Sequence, residues 1–285
     1  MAAGNGLIME LMGRPTLVSE NLAVESKIRI EGCSKSFTAH GSTFQALAPV
    51  SFEIAKEEVV ALVGPSGCGK STILNMVSGL LPPTEGTVIY DGEPVTKINR
   101  RVGYMTQKDT LLPWRRVAEN IRIPFELQCR AGQRKEAADR VARMIDLVGL
   151  KGFENHYPAE LSGGMRKRVA LARTLIYEPE TLLMDEPFGA LDAQLKLIML
   201  DQLQKLTQLR RMTVIFVTHD LGEAISLADR VIVISARPGR IRKIREIPMA
   251  RPRDVFRIRF HESFSRIYEE LWDELKDEVQ KGTEV

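Results

Sequence analysis

The sequence predicts an α/β fold around a parallel sheet, and three observations carry that prediction. The short, unbroken apolar runs in "VVALVG", "ETLLMDEP" and "TVIFVTHD" have the character of strands buried on both faces. Helical periodicity alternates with these runs along the chain. The first run leads directly into a glycine-rich loop, Gly64-Pro65-Ser66-Gly67-Cys68-Gly69-Lys70-Ser71, and a helical pattern follows at once.

The elements can be justified in chain order. Residues 1–27 include one short apolar run, broken by Glu10, and lack the basic start of a secretory signal, so they read as a loosely ordered leader. From Lys27, "KIRIEGCSKSF" alternates as a strand, breaks at "TAHGST", and resumes in "VSFEIAKEEVVALVG", with "KEE" as a turn. "STILNMVSGL" is a helix, and "GTVIYDG" a further strand ending in a turn. In the middle, "RRVAENIRIPFEL" predicts a helix kinked or ended by Pro124, and "GQRKEAADRVARMIDLVGL" places Ala137, Val141, Ile145 and Val148 on one helical face. Together these make a helical insertion at about 108–165. Glu160 to Arg173 opens with Leu161-Ser162-Gly163-Gly164 and continues as a helix with Met165, Val169 and Ala172 at helical spacing. Near the end, Phe256, Phe260, Phe264, Ile267 and Leu271 recur at three- and four-residue steps, the pattern of an amphipathic helix.

Bulk composition narrows the class without choosing a function. With 285 residues and 44% hydrophobic content the chain can bury a real core. Its 40 basic and 37 acidic residues leave a net charge of only +3, too even to argue for nucleic acid as the main partner. Cys33, Cys68 and Cys129 are too few and too scattered for a disulfide framework or zinc site, which fits a reducing compartment, with the cytosol as default. No window reaches the 18 or more apolar residues of a membrane span, so a membrane role would be peripheral or through a partner.

The glycine-rich loop carries the chemistry. Gly64 to Ser71 matches G-x-x-x-x-G-K-[ST] in the strand-loop-helix setting that the pattern requires. Backbone amides of such a loop wrap a β-phosphate, Lys70 bridges the β- and γ-phosphates, and the Ser71 hydroxyl sits on Mg²⁺. Thr72 stands where a dinucleotide fingerprint would need its last glycine. Asp185, ending an apolar strand, is placed to hold Mg²⁺ directly or through water, and Glu186 follows it toward the γ-phosphate, where a carboxylate can polarise an attacking water. The bare amides after Leu161 ask for an anion of their own. Within the phosphate loop, amides and Lys70 are expected to favour the Cys68 thiolate; the competing reading is a shielded, inert thiol.

These motifs, in this order and spacing, resemble those of the ATP-binding-cassette (ABC) ATPases from about Lys27 to Ser235. The resemblance implies a P-loop NTPase core of ABC type, with a parallel sheet, an antiparallel β subdomain and a helical insertion. It assigns residues 28–235 to the ATPase domain and 236–285 to a basic segment with a terminal helix. It also implies adenine stacking on Phe37, contact of Gln107 with Mg²⁺ and the attacking water, a loop at Ala190-Leu191-Asp192 that crosses a dimer interface, and a switch role near the γ-phosphate for His219. Alone, His219 would read as a structural strand-end histidine. In the family, Ser162 with the Gly163 and Gly164 amides caps the ATP bound to a second copy, which implies a head-to-tail homodimer with two working sites.

Within the family, "QKDTLLPWRRVAENI", "FGALDAQLK" and "ISARPGRIRKIREIPMARPRD" resemble the ATPase subunits of bacterial importers for nitrate, sulfonates, taurine and related solutes. That resemblance implies a separate integral membrane permease, an indirect solute-binding partner and a peripheral position on the cytoplasmic face of the inner membrane. Trp114, after Pro113, would shape the groove receiving the permease, or else serve as a core or interdomain aromatic. The basic tail, Arg237 to Arg259, admits a solvated face, contact with the permease or anionic lipid heads, or nucleic acid, in descending order. Rival assignments are an exporter ATPase, a cassette ATPase of DNA repair or the ribosome, and a monomeric phosphate-loop kinase. The paired cassettes or long coiled-coil insertion of the repair class are missing from this sequence, and Leu161 to Gly164 argue against the kinase.

Overall fold

The computed structural model describes residues 25–39, 41–127, 134–189 and 191–283. Of the sequence expectations, the leader through residue 24, Cys129 and Ala190 lie outside them. Strand β1 (Ser26–Ala39) opens the described chain and pairs antiparallel with β2 (Ser42–Ala55) on one edge and β4 (Glu85–Tyr90) on the other. The strand therefore begins before the expected leader ends, because Lys27 is buried between Asp91 (2.8 Å) and Glu180 (2.6 Å). Two-residue β5 (Glu93–Pro94) completes this four-stranded antiparallel sheet.

The second sheet has six strands in the order β10-β9-β3-β8-β7-β6: β3 (Val59–Val63), β6 (Val102–Met105), β7 (Thr181–Asp185), β8 (Thr213–Val217), β9 (Arg230–Ile234) and β10 (Ile241–Glu246). All neighbours are parallel except β10, which runs antiparallel to β9. Every residue of β3, β7 and β8 is buried. Alternation explains the unbroken apolar runs: Val60 and Leu62 face the antiparallel sheet across helix α1 (Lys70–Val77), whereas Val59, Ala61 and Val63 face the helices of the opposite layer.

That opposite layer contains α2 (Val117–Leu127), α3 (Arg134–Leu147), α4 (Gly163–Leu175), α5 (Ala193–Leu209), α6 (Leu221–Leu227) and α7 (Glu262–Thr283). Ala137, Val141, Ile145 and Val148 are buried as their spacing predicts. Pro124 lies inside α2, which runs on to Leu127 rather than ending there.

The chain end departs from its periodicity. Phe256 and Phe260 are exposed, because a 3-10 turn at Ile258–Phe260 precedes α7 and shifts the apolar face to Val255, Ile258, Phe264, Ile267, Leu271 and Leu275. The basic tail is solvated at Arg237, Arg240, Arg242, Arg257 and Arg259, but several of its charges are engaged within the fold. Arg245, Lys243 and Arg242 on β10 pair with Glu270 (2.9 Å), Glu274 (2.9 Å) and Glu278 (4.0 Å), which succeed one another at four-residue steps on α7. Arg253 is buried and donates to the carbonyls of Met249, Ile225 and Ala228 at 2.6–2.9 Å. Burial pushes its guanidinium down to about 10.

Candidate functional site

Parallel register gathers the site. Leu62 and Asp185 both align with Val217, so the carboxyl ends of β3, β7 and β8 lie together and deliver Gly64, Asp185-Glu186 and Thr218-His219 to one edge of the sheet. This is the crevice where open α/β sheets bind ligands. Gly69, at φ +98°, supplies the left-handed turn before α1 and provides no side-chain cap, leaving the first amides of α1 for an anion. Gly239 presses against the other side of the loop, where a Cβ would come within 1.9 Å of the Cys68 carbonyl oxygen.

Lys70 is buried within this loop, its Nζ donating to the carbonyls of Gly64 (2.8 Å) and Pro65 (2.7 Å). The loop is therefore shaped around the ammonium by its own backbone. Cys68 is buried beside it, with Sγ 3.5 Å from that Nζ. Burial raises the Cys68 thiol pKa, and the neighbouring ammonium only partly opposes this, so the expectation of a favoured thiolate is corrected: the site holds a shielded thiol.

Asp185 is buried, hydrogen-bonded to Ser71, and its pKa is raised by burial and by adjacent Glu186 against the fields of Lys70 and Lys167. Glu186 adopts φ 50°, an uncommon conformation for a glutamate, while its amide donates to the Val217 carbonyl at 3.0 Å. Two sequence candidates meet its carboxylate: Gln107 Nε2 donates to Oε2 at 3.2 Å, and His219 Nδ1 stands 3.9 Å from Oε1. His219 itself is largely exposed. Below it, Thr218 donates to buried Glu223, which Lys196 ties to α5 at 2.7 Å.

The remaining candidates stand apart from that carboxylate group. Ser162 caps α4 by accepting from the Met165 amide at 3.3 Å and is exposed. Asp192 caps α5, accepting from Leu195 N at 3.0 Å. The Phe37 ring lies 5.7 Å from the Phe44 ring. Pro113 and Trp114 are exposed, Trp114 at 71%, which excludes a core role for that tryptophan.

Sequence reading missed several residues. Lys167 donates to the Gln107 backbone carbonyl, and burial lowers its pKa despite the nearby carboxylates. Arg166 holds Asp109 at 3.0 Å, and Arg173 donates to the Asp109 and Thr110 carbonyls at 3.0 Å. Arg237 stacks over the Phe44 ring at 5.2 Å and reaches the Gly67 carbonyl at 3.4 Å. The α4 residues had a legible signal in their placement directly after the glycine pair; Arg237 had none, being 170 residues from Gly67.

Comparison with known proteins decides the family. Residues 47–189, half of the chain, match the model described as ABC transporter. The chain belongs to the ABC transporter family. It is an ATP-binding subunit of that family and an ATPase. An uncharacterised ABC transporter ATP-binding protein of Methanocaldococcus jannaschii is 44% identical over 90% of this chain and 94% of its own length. An aliphatic sulfonates import ATP-binding protein of Bacillus cereus is 40% identical over 86% of this chain and 95% of its own. Among solved structures, a dimeric ATP-binding cassette in a post-hydrolysis state, bound to ADP and Pi, superposes with a TM-score of 0.72 at 31% identity, covering 78% of this chain and all of the other. A dimeric bacterial ABC transporter cassette superposes at 0.73 with 32% identity. The family match encloses the phosphate loop, Gln107, Ser162 and Glu186, whereas Phe37 and His219 lie outside it. Among the described residues no helix is long and apolar enough to cross a membrane.

Proposed function

We propose that this ABC ATPase drives import of a small solute of the nitrate, sulfonate or taurine type, working as a homodimer beneath a separate membrane permease at the cytoplasmic face of the inner membrane. One observation carries the two-chain reading: a phosphate loop with its carboxylates at the sheet edge, and a second anion-seeking terminus at Ser162 that is open to solvent. Phe37 stacks the adenine; the loop from Gly64 through Thr72 wraps the phosphates with the amides of Ser66, Gly67, Cys68, Gly69, Ser71 and Thr72, Pro65 shaping the loop without an N–H of its own; and Lys70 exchanges its loop carbonyls for phosphate oxygens. Ser162, Gly163 and Gly164 close over the γ-phosphate held by the partner copy, with Asp192 at the interface.

Ser71, Asp185 and Gln107 fit a Mg²⁺ ion, since a buried carboxylate with a raised pKa gains from a cation beside it. Bound Mg²⁺ would neutralise charge between the β- and γ-phosphates. These three side chains would leave positions on the ion for phosphate oxygens and water. Glu186 takes the proton from the attacking water, Gln107 orients that carboxylate, and His219 approaches the γ-phosphate from the end of β8.

The importer assignment is supported by the 40% identity to a sulfonate import subunit and by exposed Trp114, an apolar contact for a permease helix. Mixing Lys70→Ala with Ser162→Arg chains tests the shared site. Phosphate release should peak near equal amounts, because only mixed dimers contain one intact site, and a flat background with mixed dimers confirmed by mass would refute it. Reconstitution with the neighbouring permease and binding protein tests the solute. Uptake of an alkanesulfonate, nitrate or taurine supports import, whereas outward transport, or turnover coupled to no solute, would favour an exporter or a non-transport cassette.

A further inference from the structure

A cavity of about 600 Å³, outside the phosphate site, opens at the opposite end of the sheet. Its lining includes the amino-terminal residues of β7 and β8, Thr181 and Thr213, and none of the phosphate-loop residues. The second half of α3, the end of α4, the 178–180 turn, the end of α5, Lys27 of β1 and the Lys56-Glu57 turn meet there. The volume is that of a small-ligand site, well beyond an inorganic ion.

Its chemistry is two-sided. Met144, Leu147, Leu175, Leu206 and Met212 give an apolar lining, with Leu147 37% exposed and therefore accessible to a ligand. Around it stand Arg140, Arg143, Arg210 and Arg211 together with Lys27 and Lys56, against only Glu57, Glu178 and Glu180. The three carboxylates are already engaged. Glu178 bridges Arg140 (3.0 Å) and Arg210 (2.6 Å) from facing walls, Glu57 holds Arg211 (2.9 Å), and Glu180 holds Lys27 (2.6 Å). Arg143 makes no ion pair among the described residues. Lys56 is held by Glu25 (2.6 Å) and Lys27 also by Asp91 (2.8 Å), so the surplus positive charge rests on the arginines, four guanidiniums against Glu178 and Glu57, around an apolar surface that can be entered.

We propose that this cavity is a second ligand site, which takes an organic anion with an apolar body: a sulfonate or carboxylate head on the arginines and a short alkyl or aryl group against Met144, Leu147 and Met212. An inorganic anion would leave the apolar wall unused, and a neutral amphiphile would leave the arginine excess uncompensated. The site also has a mechanical position. Leu175 and Ile176 end the helix that begins behind Ser162, and Glu180 precedes the strand that ends at Asp185. An occupant therefore touches the far ends of both elements that present the ATPase groups. The proposal does not depend on which solute the transporter carries.

Hexanesulfonate is the probe, titrated calorimetrically into the whole protein in parallel with sodium sulfate and hexanol, with hydrogen exchange read on the same samples. Hexanesulfonate should bind at least about tenfold more tightly than either control, since each control lacks one of the two contacts, and should protect amides of 175–180 and 206–213. Arg143→Glu with Arg211→Glu should weaken binding by about tenfold or more, and Leu147→Trp should block it by filling the apolar side. Both variants alter exposed positions, and unchanged circular dichroism and ATP affinity would show that they fold. Sulfate binding as tightly as hexanesulfonate, binding unaltered in both variants, protection elsewhere, or no heat at millimolar ligand would each overturn the proposal.

Discussion

Replacing Glu186 with Gln tests the proposed base. The substitution keeps the side chain's length and its reach to Gln107 (3.2 Å) but removes the charge and the capacity to accept a proton. A positioned general base contributes about 10²–10⁴ in rate, equivalent to about 3–5 kcal/mol of barrier at 1.36 kcal/mol per decade. Two features of the structure place the loss toward the upper end. The φ of 50° and the amide bond to Val217 fix the carboxylate, so no neighbouring group swings into its place. His219 is largely exposed and, at 3.9 Å, beyond hydrogen-bond reach of that carboxylate. Ground-state binding should survive, because Glu186 is one of the charges that raise the Asp185 pKa, and removing it eases the load of negative charge around the metal position. The assay is phosphate release with and without the permease, together with ATP affinity by calorimetry. Turnover within a factor of about three of the parent would refute the assignment of Glu186 as base, being far less than loss of a general base can cost.

Three further substitutions test the site and its scaffold. Lys70→Ala should weaken ATP binding itself, by about tenfold or more, because a charge-assisted contact to phosphate is lost in the ground state; equal calorimetric affinity would contradict the role. Asp185→Asn should stabilise the nucleotide-free protein at neutral pH while weakening Mg²⁺-dependent ATP binding. The folded pKa of Asp185 is raised above 3.8, so its favourable contribution is present below that value and is lost as pH rises through the folded pKa. Melting temperatures of the two proteins should accordingly converge in acid, and a lower melting point for the variant at neutral pH would count against the buried-charge argument. Arg253→Ala should cost about 3–5 kcal/mol in denaturant unfolding, since it strands three carbonyl acceptors in a buried pocket; a loss below about 1 kcal/mol would show that the site relaxes or admits water.

The fold was legible where burial on both faces dictates residue type. All of β3, and β7 and β8 from Leu182 and Val214 onward, alternate between one core and the other, so nothing polar interrupts those runs until the strand reaches the site at Gly64, Asp185 or Thr218. The phosphate loop was legible for a related reason: close approach, a left-handed turn and an ammonium demand Gly69 and Lys70 in fixed spacing. Partners distant in sequence were not legible. A run of arginines and lysines does not say that Arg245, Lys243 and Arg242 face Glu270, Glu274 and Glu278 on a later helix, nor that Arg253 turns inward to carbonyls. The spacing of Phe256 and Phe260 misled because periodicity cannot see the 3-10 turn that breaks phase before Glu262.

Helix α4 shows how the two halves of the site depend on one another. Its apolar spacing assigns the face that packs into the core, and its cations could be taken for a solvated surface. Instead Lys167, Arg166 and Arg173 grip the backbone and side chains of residues 107–110 from within one strip of the helix. The same helix begins at exposed Ser162, its N-cap. Any movement that presents Ser162 to an anion beyond this chain must therefore drag the Gln107 loop, and with it the hydrogen bond to Glu186. Under the proposed function, this helix of 13 residues would link the group proposed to meet a second copy's γ-phosphate to the group proposed to orient this chain's base. That link would give a physical reason for hydrolysis to wait until both copies have closed.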